Sequence, residues 1–189
     1  MYETLEDIRA DIDRRLVRAA KDRKSPMHTP VVATADADLR VMVLREFDAG
    51  KRLLRFHTDL RSPKARTIGE GAPVGVLLYD KGQKIQVRCR GEGRIEHDTP
   101  AVQAAWDAGT NFARRCYLGD GPGALSDMPT SGLPDWAEGI QPTDEQVMPA
   151  RDNFAILLVE VRSFDWLYLA HTGHMRAQFD GEEGRWVAP

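Results

Sequence analysis

The run from Leu39 to Asp80 constrains the fold most. It holds three β-rich segments in close succession, "LRVMVLREFD", "RLLRFHTD" and "PVGVLLYD", and a fourth, "KIQVRCRGEGRIEH", follows directly. β-branched and aromatic residues recur in each, as half-buried strands require. "FDAGK" joins the first segment to the second, and "YDKGQK" the third to the fourth. Asp and Gly are the residues that tight turns demand there, so each joined pair is expected to be an antiparallel hairpin.

The flanking chain fits around this centre. Leu5, Ile8, Ile12 and Leu16 recur at three- and four-residue steps, with acids early and Arg/Lys late. That pattern predicts an amphipathic helix from about residue 2 to 22, within an N-terminal segment 1–24, laying its apolar stripe on a sheet. "TPVVATA" adds a strand before the central run, "NFAILLVEVRSFDWLYLA" adds another after it, and "HMRAQFDGEEGRWVAP" reads as a terminal hairpin. "SPKARTIGEG" should open a short helix, with Ser62 as N-cap and Pro63 at the first helical position. A further helix is expected over roughly 99–115. Residues 118–150, rich in Gly, Pro, Ser and Asp, read as a long loop or lid. The sum is a mainly β (α+β) chain, an antiparallel β-barrel with flanking helices, and 189 residues suit one domain spanning 1–189.

Composition excludes several function classes. No apolar run approaches membrane-spanning length, and the charged N-terminal stretch is unlike a secretory signal, so a cytoplasmic protein with no membrane partner is expected. The two cysteines, Cys89 and Cys116, have neither C-x-x-C spacing nor a paired His motif. Reduced thiols and no metal site are therefore expected.

Charge is the informative quantity. Between Arg40 and Thr67 lie eight basic residues against three acidic ones, a local excess of five positive charges in a chain whose formal net charge is −3. A nucleic-acid surface would spread that bias more widely and interleave more aromatics than Phe47 and Phe56, so no nucleic-acid partner is expected. A single small phosphate ester fits better. Planar guanidiniums, an ammonium, hydroxyls and helix-start N–H groups satisfy such a group together, and Thr58, Arg61, Ser62 and Lys64 offer this set at the end of "FHTDLRSPKA". Arg40, inside the apolar run "LRVMVLR", needs an anionic partner from protein or ligand.

"RVMVLR", then "LRFHTDLRSPKA", "PVGVLLYD" and "IQVRCRGEGR", with the C-terminal "WLYLAHTGHMR" and "WVAP", resembles the pyridoxamine 5′-phosphate oxidase-like family of FMN-binding split β-barrels. The resemblance touches most of residues 28–117 and 153–189. It implies a homodimer with FMN between the protomers. By that resemblance Arg40 reaches the FMN phosphate, and Val41, Met42 and Val43 lay their backbone along the isoalloxazine. His57 and Thr58 lie near the flavin, Ser62 and Lys64 on its phosphate, and Gln86 at the ring edge. Pro63 stands where the family pattern has an arginine, a loss that Arg61 would compensate. Trp166 and Arg176 complete the cofactor set.

The substrate contacts implied are Arg45 and His174, with Arg115 (or its neighbour Arg114) and Tyr117 in the segment that follows. The family's C-terminal pattern carries a further substrate-binding arginine where this chain has Thr172, so pyridoxamine phosphate itself is not the expected substrate. The resulting expectation is an FMN-dependent oxidoreductase that takes hydride from a small anionic or aromatic substrate. The alternative is a non-catalytic carrier or sensor that binds flavin, a deazaflavin or heme.

Overall fold

The structure is a computed structural model and describes residues 2–189. Helix α1 (Leu5–Lys21) opens with a capping box. The Thr4 hydroxyl accepts from the Asp7 N–H, and the Asp7 carboxylate accepts from the Thr4 N–H. Two of the four donors that a helix start leaves open are thereby satisfied. The stripe Ile8, Ile12, Leu16 and Ala19 is fully buried against the sheet.

Nine strands follow: β1 (Val31–Thr34), β2 (Leu39–Val41), β3 (Leu44–Asp48), β4 (Leu53–Asp59), β5 (Ala72–Asp80), β6 (Ile85–Glu96), β7 (Phe154–Tyr168), β8 (Met175–Asp180) and β9 (Glu183–Val187). All pairings are antiparallel, in the order β2-β1-β5-β6-β7-β4-β3, with the β8/β9 hairpin also attached to β7. The turns read from "FDAGK" and "YDKGQK" join β3 to β4 and β5 to β6.

One expectation is corrected here. "LRVMVLREFD" is two strands, not one. β2 pairs β1 at one end of the sheet and β3 pairs β4 at the other, yet only Met42 and Val43 separate them. Two residues cannot bridge a flat seven-strand path at the usual ~4.8 Å strand spacing, so the sheet must curl until its edges nearly meet. The result is a split barrel whose seam is crossed by the segment Arg40–Arg45. A bulge at Arg90/Gly91 adds to the curl. A Cβ on Gly91 would lie 2.0 Å from the Glu160 carbonyl oxygen, so only glycine fits there.

The core lies inside the curl, with Leu44, Phe56, Val76, Val87 and Phe164 at its centre. A second apolar cluster covers the other face of β7 and unites Phe154, Ile156 and Leu158 with Val102, Trp106, Val147 and Ala150. β7 is thus buried on both faces over Phe154–Val159, which explains its unbroken apolar run. The helix expected over 99–115 is broken into α3 (Pro100–Asp107) and α4 (Asn111–Arg114), because Thr110 caps a new helix start just after Gly109. Between β4 and β5 stands α2 (Pro63–Ile68). The segment 118–150 carries a 3₁₀ turn at Asp135–Ala137 and a short helix, α5 (Asp144–Val147), and is not a featureless loop. No helix among the described residues is long and apolar enough to cross a membrane.

Candidate functional site

The barrel seam opens into a cleft of about 340 Å³. Its floor is the two-residue crossover and its flanks, Arg40 to Val43. The end of β4 lines the cleft with His57, Thr58 and Asp59, and α2 with Lys64. Arg45, Cys116, Tyr117 and, from the long insert, Pro122 complete the lining.

The electrostatics single out two cations. Of the eight basic residues from Arg40 to Arg66, six are committed to protein acceptors. Arg40 pairs with Asp38, Lys51 with Asp48, Arg52 with Glu182, Arg55 with Glu46 and Arg61 with Asp59, while Arg66 donates to the Arg61 carbonyl. Arg45 and Lys64 have no hydrogen-bonding or ion-pair partner among the described residues, and both line the same cleft. Burial lowers the Lys64 pKa, and the nearby positive charge of Arg40 lowers it further. The carboxylates of Asp59 and Asp38 oppose that shift without pairing with the ammonium.

His57 and Tyr117 line the cleft as neutral groups. His57 is pushed down to about 4 by burial, with Arg45 and Arg55 adding to the effect. Its Nε2 is buried without a hydrogen-bond partner, so the ring presents an unused polar atom. Burial raises the Tyr117 phenol to about 12.

Several residues expected in the site stand elsewhere. Ser62 is 1% exposed; its Oγ donates to the Asp59 carbonyl at 2.7 Å and accepts from the Ala65 N–H, so it caps α2 and faces no ligand. Arg61 forms a two-pronged ion pair with Asp59, at 3.0 and 2.7 Å, and also reaches the Tyr117 carbonyl. Its charge is paired with Asp59, and it does not line the cleft. Arg115 is buried behind the cleft and donates to the carbonyls of Ala137 and Ile140, tying the insert down. Trp166 is 0% exposed, packed edge-on against Tyr2 at 4.7 Å; it is a core residue.

Gln86 and Arg176 lie on the outer face of the sheet, away from the cleft, and His174 is in the exposed turn before β8. Arg176 donates to Asp165 at 3.0 and 2.7 Å, and Arg88 and Gln178 donate to the same carboxylate. Burial would raise the Asp165 pKa, but hydrogen bonds from Arg176 and Gln178, with the charges of Arg88 and Arg176, hold it below the usual range. Cross-strand register puts this group beside an apolar patch. Val41, Val31, Leu77, Arg88 and Asp165 share one row, and Tyr79, Gln86, Leu167 and Arg176 the next. Val41 is 64% exposed, Leu77 38% and Tyr79 43%.

Residues 11–97, which contain the seam and most of the cleft, match the model of the family described as "Pyridoxamine 5'-phosphate oxidase, FMN-binding domain". A pyridoxamine 5′-phosphate oxidase-related, FMN binding protein from Nostoc punctiforme shares the whole architecture. It is 22% identical with a TM-score of 0.66, and the match covers 100% of this chain and 97% of that one. Residues 11–97 thus resemble that family's FMN-binding domain, and the chain as a whole has the split-barrel fold. PhzG from Burkholderia lata, solved with tetrahydrophenazine-1-carboxylic acid, is similar at 16% identity and a TM-score of 0.62, over 98% of this chain and 90% of that one. A protein from Clostridium acetobutylicum related to general stress protein 26 follows at 9% identity and 0.54, over 98% and 96%. At these identities the likeness is one of fold. No curated protein sequence matches the chain.

Sequence reasoning missed the carboxylates. Asp38 and Asp59 decide which arginines remain available, and Asp165 holds Arg176. Each Asp stands two or eleven positions from its arginine. The two close pairs were open to inspection as i, i+2 neighbours.

Proposed function

We propose that the seam cleft binds FMN, with the phosphate on Lys64 beside the Asp38-paired Arg40, and that the protein is an oxidoreductase for a small anionic or aromatic substrate. The observation that carries this reading is the pair of cations in one cleft, Lys64 and Arg45, that have no partner among the described residues. A volume of about 340 Å³ suits the lower end of the ~300–1,000 Å³ range of ligand clefts. The group fits the donors present, since an anion relieves the repulsion between Lys64 and Arg40.

FMN, when bound, supplies the hydride acceptor and its reoxidation by an oxidant such as O₂. The chain's own residues bind and orient. Val41, Met42 and Val43 form an apolar backbone wall, Thr58 closes the flank, and Arg45 holds the anionic end of the substrate. His57 and Tyr117 keep fixed protonation states near neutral pH, so both act as hydrogen-bonding groups rather than as acid and base.

The second half of the site would come from another copy. Gln86, Arg176 and the exposed patch of Val41, Leu77 and Tyr79 share one outer face, and Val41 also borders the cleft. Pairing two such faces would bring one protomer's Gln86 and Arg176 to its partner's cleft and cover the apolar patch. The fixed protonation states of His57 and Tyr117 also favour a second reading, a flavin carrier or sensor without turnover.

Titrating flavin-free protein with FMN, followed by its fluorescence quenching, tests binding. Anaerobic reduction by candidate substrates and reoxidation in air then separate enzyme from carrier. No quenching at micromolar protein sinks both readings.

A further inference from the structure

A second cavity, of about 170 Å³, opens behind Arg45. It shares Arg45, His57, Cys116 and Tyr117 with the seam cleft, so the two are adjoining rooms with Arg45 at the doorway. Its walls are aromatic. Phe154 stands at the centre, with Tyr117 edge-on at 5.1 Å, His57 edge-on at 5.0 Å and Trp106 tilted at 5.5 Å. Ala105 and Ala113 leave the remaining sides low. Arg114 contributes no free charge: it lies 5.1 Å from the Trp106 ring and donates to the carbonyls of Trp106 and Asp107.

We propose that this aromatic box, with Arg45 at its mouth, is the substrate's recognition site, and that it takes a planar aromatic carboxylate of one or two rings. The proposal rests on the reading of the cleft as a flavin site, and it names the substrate class for that site. Three observations carry it. The box lies below the ~300 Å³ typical of a whole-ligand cleft, so it receives the body of a small molecule and not a cofactor. Four rings, His57, Trp106, Tyr117 and Phe154, line it, which favours a flat π-system over an aliphatic chain. Of the two cations lining the box, Arg45 and Arg114, Arg45 has no partner among the described residues. One planar guanidinium matches one carboxylate through two parallel hydrogen bonds, whereas a phosphate dianion calls for more donors than the mouth provides.

The experiment is calorimetric titration of FMN-loaded protein with 2-naphthoate, 2-naphthamide, cyclohexanecarboxylate and phenyl phosphate. Naphthoate should bind at least about tenfold more tightly than the other three, since each probe loses the charge, the ring or the carboxylate geometry. Arg45→Gln should reduce naphthoate binding to the naphthamide level. Ala113→Leu, on an exposed position of α4 where folding tolerates the change, should block naphthoate about tenfold while FMN affinity stays within twofold. Equal binding of naphthoate and naphthamide, tighter binding of phenyl phosphate, or indifference to both substitutions overturns the proposal. If the protein fails to take up FMN, the flavin reading fails. The same naphthoate titration on flavin-free protein then still decides whether the box binds aromatic carboxylates.

Discussion

Replacing Lys64 with Met separates a ligand-binding cation from a structural one. Lys64 makes no ion pair, is half-buried, and faces Arg40, so its charge is a cost to the flavin-free fold. Its depressed pKa gives the sign. The charged form is less favourable in the folded than in the unfolded chain, so removing the charge should leave the flavin-free protein as stable or slightly more stable. With FMN the sign reverses. A charge-assisted contact to phosphate is worth ~1.5–3 kcal/mol, which is a ~10–150-fold weaker Kd for Lys64→Met. The same loss should shrink the FMN-induced rise in Tm by roughly 3–12 °C, at ~2–4 °C per kcal/mol for a chain of this size. Fluorescence quenching gives the Kd, and thermal melts with and without saturating FMN give the stability arm. Two results would refute the reasoning: an FMN Kd within twofold of wild type, or a flavin-free variant destabilised by more than ~2 kcal/mol.

Three further outcomes follow from the same geometry. His57, held to about 4 against an ordinary value near 6.5, contributes stability that is present above pH ~6.5 and is lost as pH falls towards 4. Wild type should therefore lose about 2 kcal/mol more between pH 7 and 5 than His57→Phe does, measured by urea unfolding; parallel pH profiles would contradict the burial assignment. Arg115→Ala removes both donors to the Ala137 and Ile140 carbonyls. Hydrogen exchange over 137–141 should accelerate ~30–150-fold, for a local loss of ~2–3 kcal/mol, while unchanged protection would show that the insert is held by other contacts. Trp166→Phe should lower stability by ~1–2 kcal/mol through lost packing and leave the FMN Kd within about threefold. A tenfold weaker Kd at unchanged stability would return Trp166 to the cofactor site.

Much of the fold was legible, and the failures have physical causes. The hairpins at "FDAGK" and "YDKGQK", the α1 stripe and the Ser62 cap are local, set by residues a few positions apart. The break between β2 and β3 was invisible because "RVMVLR" contains no Gly or Pro; curling of the sheet, a tertiary event, divides that run. The break at Gly109-Thr110 was legible as a helix stop followed by an N-cap, and the apolar periodicity on either side masked it.

For the site, the sequence showed where cations cluster but not which are neutralised. Arg61 and Ser62 stand in the right stretch, yet Asp59 takes the charge of the first and its carbonyl takes the hydroxyl of the second. Lys64 and Arg45, which look no different in the sequence, are the pair left open. Gln86 and Arg176 fall on outward positions of β6 and β8, where strand alternation puts them opposite the inward Val87 and Ala177. One protomer therefore cannot assemble all the expected contacts around a single ligand.

If each barrel seam holds one FMN and two outer faces pair, flavin and dimer sediment together. Sedimentation velocity of the protein mixed with FMN, followed at flavin wavelengths, tests both conditions at once. The account expects flavin absorbance to sediment at twice the 21.2 kDa chain mass with one FMN per chain. Flavin that stays behind the protein boundary, or moves with a single chain, would contradict it.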